Sequence, residues 1–265
     1  MSDYTKTHIE TWYFSVDPAF KTYAYALVRI WEIDDDIINK INDIILVVRN
    51  VSSIILQYTT CKNTEYNISQ LLQTINTKLD DLSNLLKDYF VVMSGATIDL
   101  APGIKVRSLS ALNRVVRISD YLEFTIGDVF KKLKDIGCPQ PDSKDLNVII
   151  EHQMGPNTVS GTPSDLTINY FKRANVTEIG AGFKNKVRIS NRPDLDHGNY
   201  VAKYKTNKSA NKNHTKHLYF DLICPLFDHK NFVVPMNKRD DFADCVVQII
   251  GCRKFANYDL LKTKF

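Results

Sequence analysis

The chain has 265 residues, 44% of them apolar and 24% charged, with a formal net charge of +4. A chain this long can bury a sizeable core, in one large domain or two small ones, without disulfides or metals. The composition excludes disordered, collagen-like and disulfide-scaffold classes, and no apolar run reaches the roughly 18 residues of a membrane span.

The opening residues, Met1 to Lys6, lack the basic segment and apolar run of a signal peptide. The expectation is an intracellular protein, cytoplasmic or nuclear, neither secreted nor in a membrane. Five cysteines (Cys61, Cys138, Cys224, Cys245 and Cys252) are widely spaced with no C-x-x-C pair. This predicts free thiols. Cys138 and then Cys61 are expected on accessible loops, and the other three in apolar runs. The wealth of Asn, Ile and Lys fits an A+T-rich genome, a viral one among the candidates.

Two strands are predicted first. Residues 11–16 and 22–31 are rich in aromatic and β-branched side chains, with the turn signal Asp17-Pro18 between them. In the second run Tyr23, Tyr25, Leu27 and Trp31 fall on one face with Arg29, and Ala24, Ala26, Val28 and Ile30 on the other. Both faces are mainly apolar, which predicts a strand covered on both sides.

Asp34-Asp35-Asp36 then precedes Ile41, Ile44, Val48, Val51, Ile55 and Tyr58, a helical stripe with Asp36 as N-cap. The β-branched run Ile44–Val48 leaves a strand there as the alternative. Ile68, Leu72, Ile75, Leu79, Leu82, Leu86 and Tyr89 make three heptads of a seam, predicting a continuous helix over 67–90. Together these give a helical hairpin over about 36–90, packed inside the molecule or used for self-association.

Beyond residue 90 the chain reads as mostly β. Short strand-like runs occur at 104–107, 114–118, 148–150, 166–171, 186–189, 200–204 and 218–223. One short helix is expected at 125–136, stopped by Gly137-Cys138-Pro139, and another helix or strand at 240–250. The expected class is α+β, the hairpin packed against a mostly antiparallel β region. The division is 1–90 and 91–265, or a single domain 1–265 if the first two strands join the same sheet.

Charge is unevenly spread. Residues 171–217 hold 11 Lys and Arg against 3 Asp and Glu, a net +8. Lys172, Arg173, Lys184, Lys186, Arg188, Arg192, Lys203, Lys205, Lys208, Lys212 and Lys216 alternate there with Phe171, Phe183, Tyr200, Tyr204, Tyr219 and Phe220. A basic β face with aromatic platforms is how single-stranded nucleic acid is held without strong sequence preference. The candidate nucleic-acid contacts are Lys172, Arg173, Lys184, Lys186, Arg188, Lys203, Tyr204, Lys205, Lys208, Lys212 and Lys216. The bland alternative is a solvated lysine surface with its aromatics in the core.

The cluster His214, His217, Cys224 and His229 has donors zinc accepts but no recognised spacing. Asp194-Leu-Asp196-His197-Gly198 reads as a polar turn before it reads as an acid–base pair. Gly180-Ala-Gly182-Phe-Lys184 lacks the Walker and Rossmann spacings. No catalytic motif and no cofactor or metal site is assigned. The leading expectation is a non-enzymatic nucleic-acid-binding protein. A structural or adaptor protein acting through the 36–90 helices, with homo-oligomerisation, comes second, and a metal-dependent hydrolase third.

Overall fold

A computed structural model describes residues 10–31, 35–61, 68–87, 89–152, 163–180 and 239–252. Strands β1 (Glu10–Pro18) and β2 (Tyr23–Trp31) form an antiparallel hairpin, with Phe14 opposite Leu27 and Pro18 opposite Tyr23. The two-sided burial expected of β2 holds. Tyr23, Tyr25 and Leu27 enter one core cluster, while Ala24, Ala26, Val28 and Ile30 enter the other.

Helices α1 (Asp35–Cys61) and α2 (Ile68–Leu86) follow. The strand alternative at Ile44–Val48 is therefore not adopted. Ile41, Ile75, Leu82 and Leu86 are buried in one cluster with the sheet face made by Ala24, Ala26, Val28 and Ile30. Of the other predicted stripe positions, Ile44 and Val51 pack at the edge of that cluster. The side chains of Val48, Ile55, Tyr58, Ile68, Leu72 and Leu79 lie outside the described residues.

The helix expected over 67–90 stops at Leu86, because the chain must turn into β3 (Phe90–Ile98), which pairs antiparallel with β2. Sequence reading missed this strand. Its pairing slips by one residue between Leu27 and Val28, so Met93 is extra, as in a β-bulge.

Three expected strands are corrected. Residues 104–107 form an irregular connection entering a 3-10 turn at Val106–Ser108. The run 114–118 lies in helix α3 (Ala111–Asp120), whose N-cap Ser110 accepts from the backbone N–H of Asn113 at 3.1 Å. The run 166–171 lies mostly in helix α5 (Pro163–Tyr170), which begins with proline at a first-turn position that tolerates it.

The helix expected at 125–136 is the second half of a longer helical run. From α3 the chain continues through a π-helical segment (Tyr121–Ile126) into α4 (Gly127–Leu133), and Gly137, at φ 88°, ends it. Strand β4 (Leu146–His152) pairs parallel with β1, and β5 (Asn175–Gly180) pairs parallel with β4.

The described strands make one five-stranded sheet in the order β3-β2-β1-β4-β5. It is mixed, which corrects the mostly antiparallel expectation for the region after residue 90. The α+β class stands, with β1 and β2 sharing a sheet with the strands beyond residue 90. One face carries α1, α2 and α6 (Arg239–Cys252), and the other carries α3, the π segment, α4 and α5. Among the described residues no helix is long and apolar enough to cross a membrane.

Helix α6 is the innermost helix described. Every residue from Asp241 to Ile249 is buried. It lies on the sheet where the side chains are smallest: Ser15, Ala24, Ala26 and Gly95. A Cβ on Gly95 would come within 2.1 Å of the Phe242 ring. That glycine sets how closely α6 approaches.

Candidate functional site

β1 and β4 run parallel, with Val16 opposite Ile150. One residue further on, Asp17 and Glu151 stand side by side at the carboxyl ends of these strands. Alternation puts Tyr13, Ser15 and Asp17 on the α6 side of β1, and Ile149 and Glu151 on the same side of β4. On α6, Asp241, Asp244, Cys245 and Gln248 repeat at helical spacing and share one face.

Four carboxylates are therefore buried on this side of the sheet: Asp17, Glu151, Asp241 and Asp244 are all between 4% and 8% exposed. None of the four is without a partner. Ser15 and Gln248, fully buried, tie the two elements together. The Ser15 hydroxyl donates to Oε1 of Gln248 at 2.7 Å, and Nε2 of Gln248 donates to Oε2 of Glu151 at 2.8 Å. Ser164, at the start of α5, is also buried and lies 3.5 Å from the backbone oxygen of Glu151.

Carboxylates are rarely buried in such numbers, because desolvation and mutual repulsion both oppose it. The field they create is visible at Cys245. Burial pushes its thiol well above the ordinary range, and the charges of Asp17, Asp244 and Glu151 push it further, against a backbone hydrogen bond with Asp17. A thiol so protonated is no nucleophile. The oxygens of these carboxylates are hard donors, of the kind that suit Mg²⁺, Mn²⁺ or Ca²⁺. As placed, no three His, Cys, Asp or Glu side chains among the described residues converge on a single ion position. An ion would have to draw the carboxylates inward.

β1 is where the sheet changes from antiparallel to parallel neighbours. At the same edge His152 is opposite Gly180, the last residue of β5. Gly180 lies within the basic stretch 171–217 of the sequence.

Of the predicted nucleic-acid contacts, Lys172 and Arg173 are exposed in the turn between α5 and β5, and Arg173 lies 3.8 Å from Asp142. Phe171, read as an aromatic platform, is instead fully buried in the core, its ring tilted against that of Phe14 with centroids 4.9 Å apart. Lys184, Lys186, Arg188, Lys203, Tyr204, Lys205, Lys208, Lys212 and Lys216 lie outside the described residues. So do the Asp194–Gly198 turn and the His214, His217, Cys224, His229 cluster. Cys138, expected on an accessible loop, is 4% exposed. The loop that holds it folds back on α4, and Gln140 donates to the backbone oxygen of Phe130.

Sequence reading missed the carboxylates. Asp17-Pro18 reads as a turn signal, and Glu151, Asp241 and Asp244 fall in no motif. The available signal was an acid in or beside an apolar run: Val16-Asp17, Ile149-Ile150-Glu151, Asp241 just before Phe242-Ala243, and Asp244 between Ala243 and Cys245-Val246-Val247. No family model matches the chain, and neither any curated protein nor any solved structure matches it.

Proposed function

We propose that this protein is a divalent-cation-dependent phosphodiesterase that acts on nucleic acid. The observation that carries the reading is the set of four buried carboxylates at the carboxyl ends of β1 and β4. In this reading Asp17, Glu151, Asp241 and Asp244 would hold Mg²⁺ or Mn²⁺ once an ion drew them together, since as placed no three of them converge. Such ions would polarise a phosphoryl oxygen and supply a bound water acidic enough to react at neutral pH.

In the hydrolysis the water oxygen bonds to phosphorus and the P–O ester bond breaks. The leaving oxygen takes up a proton as the water loses one. Nucleic acid is the substrate best matched to the charge pattern. An acidic centre repels a polyanion unless cations bridge them, while the basic stretch 171–217 supplies the salt-dependent grip on the phosphate backbone. Lys184, Lys186, Arg188, Lys203, Lys205, Lys208, Lys212 and Lys216 are the proposed backbone contacts, with Tyr204 stacking on a base. We also infer that α1 and α2 pair as a helical hairpin between β2 and β3, since both contribute to one core cluster and only residues 62–67 join them.

The test is cleavage of labelled single-stranded DNA, duplex DNA and RNA with Mg²⁺ or Mn²⁺. Cleavage should stop with chelator, and Asp17→Asn or Glu151→Gln should slow it on the order of 100-fold or more in a protein with unchanged circular dichroism. Binding without any metal-dependent cleavage would overturn the enzymatic reading and leave the non-enzymatic nucleic-acid-binding one.

A further inference from the structure

We propose that the outward side of the helical run from α3 to α4, led by Leu112, Val116 and Phe124, docks on an anionic lipid surface. This run covers the face of the sheet opposite α6, so the contact is separate from the buried carboxylates and independent of their chemistry. Leu112 and Phe124 are 70% and 71% exposed, and Val116 is 45% exposed. Apolar residues scattered singly over a surface are ordinary, but these three fall in line. Leu112 and Val116 are four residues apart and share one side of α3. A four-residue step drifts forward around an α-helix and backward around the wider π turn. The π segment therefore brings Phe124 back to the side of Leu112 and Val116. The other side of the run, with Ile118, Tyr121, Leu122, Ile126 and Phe130, is buried in the core.

The charge around this ridge selects the partner. Residues 104–117 hold Lys105, Arg107, Arg114 and Arg117 and no acid. Arg117 donates to the backbone oxygen of Leu100 at 3.0 Å, while Lys105 and Arg107 are exposed, as is Lys131 at the far end. Asp120 and Glu123 are exposed between Val116 and Phe124 and oppose the attraction. Asp128 is paired with Lys132 at 2.6 Å. Over residues 104–134, seven basic residues stand against three acidic ones, a net +4.

Exposed apolar side chains flanked by Lys and Arg are the pattern of surfaces that lie in the headgroup layer of an anionic membrane. A second copy of the chain would set two positive surfaces against each other. Nucleic acid matches the charge and stacks on a ring such as Phe124, but it gains nothing from the aliphatic Leu112 and Val116. Side chains that stand this far out of the surface suit the interfacial layer of a bilayer, which packs around them without needing a matching pocket.

The experiment is sedimentation of the full-length protein with vesicles of phosphatidylcholine alone and of phosphatidylcholine mixed with phosphatidylserine. Binding should require phosphatidylserine and weaken as salt rises. Leu112→Ser and Phe124→Ser lie at exposed positions, so both should keep the melting temperature, and each should weaken vesicle binding on the order of 10-fold or more. Lys105→Ala and Arg107→Ala should each weaken it about 5-fold.

No binding to the mixed vesicles overturns the proposal, and so does equal binding to phosphatidylcholine alone. Binding that the Leu112→Ser, Phe124→Ser double variant leaves unchanged would assign the attraction to charge elsewhere, such as the 171–217 stretch, and overturn it too. If the double variant instead weakens binding of single-stranded DNA, or dissociates a dimer of the wild-type chain, while vesicles are not bound, the ridge serves nucleic acid or a second copy and the lipid reading falls.

Discussion

Gly95→Ala tests how the site is assembled without touching a polar group. A Cβ at this position would lie 2.1 Å from Cε2 of Phe242 and 3.0 Å from Cδ2 and Cζ. Ordinary contact begins near 3.4 Å, so the ring must retreat by roughly 1.3 Å in a close-packed interior. Phe242 is fully buried on a helix that is itself buried, so the ring cannot swing into solvent. Overpacking of this kind costs about 1–3 kcal/mol. Loss of glycine's freedom in the unfolded chain offsets about 0.4–1 kcal/mol of it.

The net expectation is a loss of about 1–2 kcal/mol, a fall in melting temperature of roughly 2–8 °C for a chain of this size. Adding Phe242→Leu should recover part of the loss, with a coupling of about 0.5–3 kcal/mol between the two positions. Thermal denaturation of the four proteins in the cycle measures this. An unchanged melting temperature in Gly95→Ala, or strict additivity with Phe242→Leu, would refute the close approach of α6 to β3.

Three further outcomes follow from the core and its buried titratable groups. Leu82→Ala, at a 1% exposed position facing the sheet, should cost about 2–5 kcal/mol in urea denaturation. A cost under 1 kcal/mol would mean that α2 does not close that core. In native thiol labelling Cys252, half-buried, should react before Cys138 and Cys245, both buried. Its thiol is pushed up by burial to about 11 and that of Cys138 to about 12, so labelling should quicken as pH rises; Cys138 reacting first would show its loop to be misplaced.

Tyr23, Tyr25 and Tyr121 are all raised above their ordinary 10.0, chiefly by burial. A folded pKa above the unfolded one gives stability that is complete below the unfolded value and lost as pH climbs above it. Stability should therefore hold to about pH 8, where unfolded thiols begin to ionise, and decline beyond it, more steeply as tyrosines join them. The Tyr121 hydroxyl is buried with no hydrogen-bond partner among the described residues. Tyr121→Phe should accordingly be neutral or stabilising at pH 7 and flatten the alkaline decline; a loss above about 1 kcal/mol at pH 7 would show that the hydroxyl is satisfied.

What the sequence determined by itself was whatever depends on local period. Alternation in Tyr23–Trp31 placed each side chain on its face of the sheet, because a strand's period of two leaves no other choice once both faces are apolar. The stripes through Ile41 and Ile75 gave two helices, since apolar residues three and four apart cover one side of a helix. Gly137 marked a helix end because it can adopt positive φ. Where long-range partners decide, the sequence misled. Arg114–Ile118 is β-branched enough for a strand, yet a serine cap and a covered face with Ile118 and Leu122 make it helical. Phe90–Ile98 looks unremarkable until β2 supplies its hydrogen bonds.

The carboxylate cluster belongs wholly to this second kind. Asp17, Glu151, Asp241 and Asp244 are up to 227 residues apart in the chain. Each looks locally like a turn or a helix-surface acid. Only a parallel pairing of β1 with β4, and a helix drawn onto glycine and alanine, gather them. Parallel pairing requires a long crossover connection, so no short stretch of sequence can announce it.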